Sequence, residues 1–85
     1  MSDTEIPADL IALKLAFYTA ERELAALADD PERWNATHKR MGDLAVEIHR
    51  HPALQALAGP DRLKLDAAAS KAAREQLAAQ DSAGG

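Results

Sequence analysis

Apolar side chains recur at helical spacing from the start of the chain. Six positions follow one another at intervals of three and four: Leu10, Leu13, Phe17, Ala20, Leu24 and Leu27. This spacing places the side chains on one face of an α-helix and predicts a seam for a second helix. Because Pro7 suits the first turn of a helix, we predict the first helix over residues 7–28.

The first helix carries a second apolar strip outside this seam. Its members are Ile11, Leu15 and Tyr18, which lie roughly a third of a turn or more from the seam at about 100° per residue. The strip either receives a later helix of the same chain or contacts a second copy or another protein. Tyrosine supplies contact area at interfaces with little loss of entropy. We therefore predict Ile11, Leu15 and Tyr18 as protein-interface residues, with packing in cis as the open alternative.

The segment "DDPER" ends one helix and starts the next. Asp30 can cap the free N–H groups of a helix that begins at Pro31, and Glu32 favours the positive end of its dipole. Pro52 disfavours helical geometry at the residue before it, so the second helix is predicted over residues 31–51. Its apolar face consists of Trp34, Thr37, Met41, Leu44, Ala45 and Ile48. Two helices of about 30 Å joined by so short a turn predict an antiparallel hairpin, with Trp34 closing its loop end.

The remainder of the chain predicts a short turn and a third helix. Residues 53–58 form one or two turns closed by Gly59, and Pro60 with Asp61 starts a helix over residues 61–80. This helix has a weak apolar stripe of small members: Leu63, Ala67, Ser70, Ala73 and Leu77. Residues 1–6 and 81–85 are predicted to be flexible.

Together these elements predict one all-α domain over residues 7–80, a three-helix bundle made of the hairpin, the turn and the last helix. Alanine supplies 20 of the 40 apolar residues of this 85-residue chain. Burial of alanine contributes much less than burial of leucine, so the core is expected to be thin. A small helical domain with a thin core gains stability by association, and we expect a homodimer or binding to another protein.

Charge is unevenly distributed along the sequence. The formal net charge is −4, but residues 1–32 hold two basic and eight acidic residues, whereas residues 33–74 hold eight basic and four acidic ones. Arg62, Lys64, Lys71 and Arg74 could contact phosphates, which makes nucleic-acid binding the alternative function. Against it, acidic residues are interleaved with the basic ones, the total charge is acidic and the spacing does not match a helix-turn-helix.

The remaining chemistry predicts no catalytic, cofactor or metal site. The chain has no cysteine, and His38 and His49 are about 16 Å apart along one helix. His49, Arg50 and His51 are interpreted as the end of a helix, where positive or polarisable side chains meet the negative dipole. Ser70 lies among alanines without the glycine elbow of a serine nucleophile. The acidic start lacks the features of a signal peptide or a membrane span, so a cytoplasmic protein that contacts no membrane is expected.

Residues 44–74, "LAVEIHRHPALQALAGPDRLKLDAAASKAAR", resemble a group of small alanine-rich helical proteins from high-GC actinobacteria. These carry a similar histidine-arginine-histidine-proline step before a basic, alanine-rich last helix. The segment "ADLIALKLAF" adds to the likeness. The resemblance implies a helical fold and assigns no functional residue.

The sequence thus predicts a small non-enzymatic interaction module, an adaptor or regulator that acts through apolar helix faces and associates with itself. The alternative is a nucleic-acid-associated regulator that uses the basic residues of the second and third helices. In the first case, opposed charges in the acidic and basic segments would set the orientation of the protein contact.

Overall fold

The structure, a computed structural model, describes residues 6–84, with side chains over 6–80. It contains four helices: α1 (Ala8–Ala26), α2 (Pro31–His49), α3 (Pro52–Gln55) and α4 (Gly59–Gly84). No strand occurs within this described range. The prediction of an all-α fold is confirmed.

Local hydrogen bonds determine where α1 ends and where α2 begins. α1 begins one residue after Pro7 and stops at Ala26, where the backbone N–H of Leu27 donates to the carbonyl of Leu24 at 3.1 Å. This three-residue hydrogen bond tightens the last turn and ends the helix earlier than predicted. Asp30 accepts a hydrogen bond from the backbone N–H of Arg33 at 3.2 Å, which confirms the predicted cap of α2.

The step from α2 to α4 is more structured than the sequence suggests. α2 ends at His49, and residues 52–55 form the short helix α3 where a turn over 53–58 was expected. Gly59 has a φ of 60°, the left-handed region that favours glycine, and α4 starts there.

α4 is also longer than expected. It continues to Gly84, because no proline or glycine interrupts the chain between Pro60 and that residue. The backbone of residues 81–84, predicted to be a flexible tail, is therefore helical. At the other terminus Ile6 is half-buried and packs against the core. The rest of the predicted flexible segments, residues 1–5 and 85, lies outside the described residues.

α1 is the central helix. It packs against both α2 and α4, while α3 packs against α4. α1 and α4 run in the same direction, since Lys14 contacts Asp66 and Tyr18 contacts Arg74 further along both helices. Within the described residues α2 and α4 are too far apart to pack along their length. The side of the molecule between α2 and α4 is therefore open.

The core lies at the end of the molecule where α1 begins. Leu10, Leu54, Leu65 and Ala69 form a buried cluster, and Ile6, Ile11, Ile48, Ala53 and Leu57 pack around it. The other buried apolar residues are Ala20, Leu44 and Ala73. Three of these seven buried residues are alanines, so the bulky part of the core is confined to one end of the molecule.

The apolar stripe of α4 differs from the predicted one in its first two members, whereas Ala73 is buried and Ser70 and Leu77 are half-buried as expected. Leu65 and Ala69 are buried, whereas Leu63 is 70% exposed and Ala67 is exposed. The choice between the two leucines depends on α1, because the register that buries Leu65 brings the next residue, Asp66, to Lys14. Small residues on this face let the helices approach closely.

The exposure of Trp34 also differs from its prediction. Its side chain is 37% exposed, more than expected of a residue that closes the loop end of the hairpin. It stacks on His38 of the same helix, with ring centroids 5.0 Å apart and an angle of 7° between the planes. The role of Trp34 at the loop end stays a prediction.

Candidate protein-interaction groove

The open side between α2 and α4 forms a continuous groove with α1 as its floor. Two adjoining cavities of about 220 and 180 Å³ share Ala45 and Ile48 as lining residues. We call this surface the α2–α4 groove; it is lined by Lys14, Phe17, Tyr18, Ala45, Ile48, His49, Leu54, Arg62, Leu63 and Asp66. Six of these ten side chains are apolar or aromatic, a composition that suits another helix.

A buried charge lies in the floor of the α2–α4 groove. Lys14 is only 7% exposed, and its Nζ donates to Asp66 Oδ1 at 2.6 Å and to Ser70 Oγ at 2.8 Å. These bonds satisfy the ammonium and join α1 to α4. An ammonium group is a donor without an acceptor, so while it is paired with Asp66 it cannot remove a proton from Ser70. The cluster therefore acts as a tie between helices.

The α4 wall carries two guanidinium groups. Arg62 Nη2 lies 3.1 Å from His49 Nδ1 and donates to it when that nitrogen is unprotonated. The carbonyl of His49 accepts from Gln55 Nε2 at 2.7 Å, which joins the end of α2 to α3. Higher up, the Arg74 guanidinium lies over the ring of Tyr18, 5.2 Å from its centroid. Neither arginine has a carboxylate partner among the side chains of residues 6–80.

The α2 wall is apolar and aromatic. Ala45 and Ile48 line both cavities. Trp34 and His38 lie eleven residues before Ala45 and His49, which is about three helical turns, and so lie on the same flank of α2. The stacked Trp34–His38 pair thus extends this wall toward the loop end of the hairpin.

His51 fixes the junction beneath the core. The ring is buried, and its Nδ1 accepts a hydrogen bond from the backbone N–H of Ala53 at 3.1 Å, which caps α3. The proton of the neutral ring is therefore on Nε2, 3.0 Å from Asp9 Oδ1. That contact is short but poorly aligned as a hydrogen bond. It lowers the pKa of Asp9 below its ordinary value of 3.8, chiefly through the side-chain interaction with His51.

The predicted interface residues lie on the side of α1 that faces α4. Ile11 is half-buried and packs against the core cluster, and Leu15 is half-buried between Ile11 and Tyr18 on that side. Tyr18 is half-buried, meets Phe17 edge-to-face at 5.9 Å and lines the α2–α4 groove. The structure thus brings Tyr18 into the groove and places Ile11 at the core.

The four basic residues of the nucleic-acid alternative do not form one surface. Arg62 contacts His49 in the groove, and Arg74 covers Tyr18. Lys64 borders a separate hollow beside Asp61 and lies about 200° around α4 from Arg62. Lys71, seven positions after Lys64, shares that outer side of α4 with it, whereas Arg62 lies on the opposite side.

Two further hollows, of about 360 and 380 Å³, lie away from the groove. One is bordered by Thr19, Arg22 and Leu77 with two further polar residues. The other lies around Leu57 and Lys64. Each touches only two stretches of chain, so neither offers the three-sided shape of the α2–α4 groove.

Over the described side chains, no group of three histidine or acidic residues is close enough to hold a metal ion. In the same range no helix combines the length and the apolar character needed to cross a membrane.

Sequence reasoning missed the residues that shape the groove. Lys14 follows Leu10 by four positions and precedes Phe17 by three, so it stands within the apolar seam itself. A charged residue at such a position needs a partner, so the position of Lys14 in the sequence already indicates a buried ion pair or hydrogen bond. The pairing with Asp66 and Ser70 depends on the register of α4, which the sequence does not determine.

Comparison with known proteins finds no matching family model, no matching curated protein and no matching solved structure. The resemblance of residues 44–74 to alanine-rich actinobacterial proteins stays a prediction.

Proposed function

We propose that this chain is a small non-enzymatic interaction module, an adaptor or regulator of the cytoplasm, that binds a helix in the α2–α4 groove. The observation that carries the proposal is the placement of α2 and α4 on α1 without packing against each other along their length. Three helices then occupy three positions of a bundle, and the fourth position is open to a partner.

The exposed apolar residues support this proposal. The large apolar side chains exposed among the described residues are Trp34, Val46 and Leu63. Leu63 lines the groove, and Trp34 lies on the flank of α2 that forms its wall. Side chains of this kind at the edge of an apolar groove mark a protein contact rather than a solvated face.

The thin core supports the proposal in a second way. Bulky buried residues are concentrated around Leu10 and Leu54 at one end of the molecule. Toward the loop end the buried apolar residue of α1 is Ala20. A bound helix would cover Phe17 and Tyr18 in this poorly filled region and would add to stability. The homodimer expected from the sequence would fill the same groove with a second copy.

The test compares the replacement of two different alanines of α2 by glutamate. Ala45→Glu places a carboxylate in both cavities of the groove, whereas Ala36→Glu makes the same change at another exposed position of α2, outside both cavities. Tagged wild type and both variants are used to capture proteins from a lysate of the native host, with quantitative mass spectrometry. The proposal predicts proteins that wild type and Ala36→Glu retain and Ala45→Glu loses. Equal capture by all three forms would contradict it.

A further inference from the structure

We propose that the α2–α4 groove takes an amphipathic helix of another protein, with an apolar stripe and carboxylates along the edge that faces α4. This inference rests on the proposed function and specifies the partner's chemistry. Helix-in-groove binding uses apolar anchors spaced at three and four residues. The groove offers apolar contacts to such anchors from Phe17 and Tyr18 in the floor and Ile48 and Leu63 in the walls.

The charge requirement comes from the α4 wall. Arg62 lines the groove and contacts a histidine, and Arg74 lies over the ring of Tyr18, which itself lines the groove; neither contacts a carboxylate among the described side chains. The carboxylate in the groove, Asp66, is already bonded to Lys14. The groove therefore presents two positive groups whose charge is not balanced within the described side chains. A partner with carboxylates at this wall is complementary, and one with lysines is repelled.

The distance between the two arginines determines how far apart the carboxylates on the partner helix should be. Twelve residues separate Arg62 from Arg74, which is about 18 Å along α4 and about 120° around it, and the contact with Tyr18 brings the Arg74 guanidinium to the groove. On a partner helix that lies along the groove, carboxylates about eleven positions apart fall on one edge at nearly this distance. Both can then approach the two guanidinium groups while the apolar stripe contacts α1.

The outer sides of α2 and α4 do not supply such a helix within the described residues. On the outer side of α2 the large exposed apolar residue is Val46, which is 48% exposed and flanked by Lys39, Asp43 and Arg50. The outer side of α4 carries Ala67 between Lys64 and Lys71. A single valine or alanine among charged residues is not an apolar stripe, so we assign the groove to another protein and not to a second copy.

The probe is a labelled synthetic peptide of about 18 residues, enough to span the groove at 1.5 Å per residue. It carries leucines along one helical face and two glutamates on one edge, spaced about eleven positions apart. A matched peptide has lysines in place of the glutamates. Binding of both peptides to wild type, Ala45→Glu, Ala36→Glu and Arg74→Glu is measured by fluorescence anisotropy, and circular dichroism establishes that each variant is folded.

The inference predicts that wild type and Ala36→Glu bind the glutamate peptide about tenfold more tightly than the lysine peptide. Ala45→Glu loses binding of both, and Arg74→Glu reduces or reverses the preference between them. Equal binding of the two peptides by wild type, no binding, or undiminished binding by Ala45→Glu would each overturn it. A dimeric mass of the free chain that Ala45→Glu reduces to a monomer would also overturn it, because a second copy would then fill the groove.

The two experiments distinguish a wrong partner chemistry from a wrong proposed function. If groove-dependent capture from lysate persists while the glutamate peptide shows no preference, the chemistry of the partner is wrong and the interaction function stands. If capture is the same for Ala45→Glu and wild type, the function itself is contradicted.

Discussion

Lys14 on α1 donates a 2.6 Å hydrogen bond to Asp66 on α4, across 52 positions of sequence. The two partners differ in exposure, since the Lys14 side chain is 9% exposed and the Asp66 side chain 46%. The lysine therefore depends on the aspartate more than the aspartate depends on the lysine, because water can solvate an unpaired Asp66. This asymmetry makes the ion pair testable one partner at a time.

Asp66→Ala is predicted to destabilise the fold by about 1–2 kcal/mol, since it leaves a buried ammonium without its carboxylate. Lys14→Met keeps the volume of the side chain and removes the charge, so its cost is predicted at no more than about 1 kcal/mol. Denaturant unfolding of the two variants measures both changes in the free energy of unfolding. An Asp66→Ala variant as stable as wild type would show that the pair does not hold α4 in register.

Leu54→Ala is predicted to cost about 2–4 kcal/mol, because Leu54 is buried between α1 and α4 and its removal leaves a cavity. Leu63→Ala in the next helix is the matched control and should change stability by less than about 0.5 kcal/mol, since Leu63 is exposed. For a chain of this size each kcal/mol shifts Tm by about 4–8 °C, so thermal melts resolve the two. Equal decreases in Tm for the two variants would contradict the observed register of α4.

His51→Ala is predicted to destabilise the chain by about 1–2 kcal/mol, because it removes the acceptor for the Ala53 N–H and empties a buried site. His51→Asn is the control, since asparagine is a good N-cap, and it should recover part of the loss. If the alanine and asparagine variants melt together, the ring contributes through packing alone.

Asp9 gives the fold a pH dependence at the acid end. Its folded-state pKa is lowered by His51, so the stability from this carboxylate is present above its ordinary pKa of 3.8 and is lost as pH falls through the lowered value. Asp9→Asn should therefore be less stable than wild type near about pH 5 and equal to it below that lowered value. Unfolding curves across this range measure the difference. A gap between the two proteins that stays constant with pH would contradict this role for Asp9.

The scattered basic residues predict weak binding to nucleic acid. Basic residues that bind phosphates together give steep salt dependence, but Arg62 and Arg74 contact groove residues, whereas Lys64 and Lys71 lie on the outer side of α4. The chain should show no retention on a DNA column beyond that of the Lys71→Ala/Arg74→Ala double variant, even at low salt. Strong retention that this double variant abolishes would support the alternative function instead.

Local signals in the sequence were enough to predict the helices and several of their ends. The Asp30 cap, the proline starts of α2 and α3 and the thin alanine core all follow from residue chemistry within a few positions. The choice between Leu63 and Leu65 was not predictable in this way, because both fit a helical stripe and the choice depends on α1 and α3. The exposure of Trp34 was missed for the same reason.

Only some residues of the α2–α4 groove could be predicted from the sequence. Tyr18 could be assigned to a contact surface because it lies outside the first apolar seam, and the structure places it in the groove. Ala45 and Arg62 gave no sequence signal of their own, since their role depends on the gap between α2 and α4. A surface formed by the absence of packing between two helices has no signature in either helix alone.

The most direct test of the groove is an NMR titration of the ¹⁵N-labelled chain with the glutamate peptide. We predict that backbone shifts change along the groove, at Lys14, Tyr18, Ala45, Ile48 and Arg62, and stay unchanged at Ala12 and Ala36 on the outer faces of α1 and α2. No shift changes, or changes centred on those outer faces, would contradict the claim that the α2–α4 groove is where this protein binds its partner.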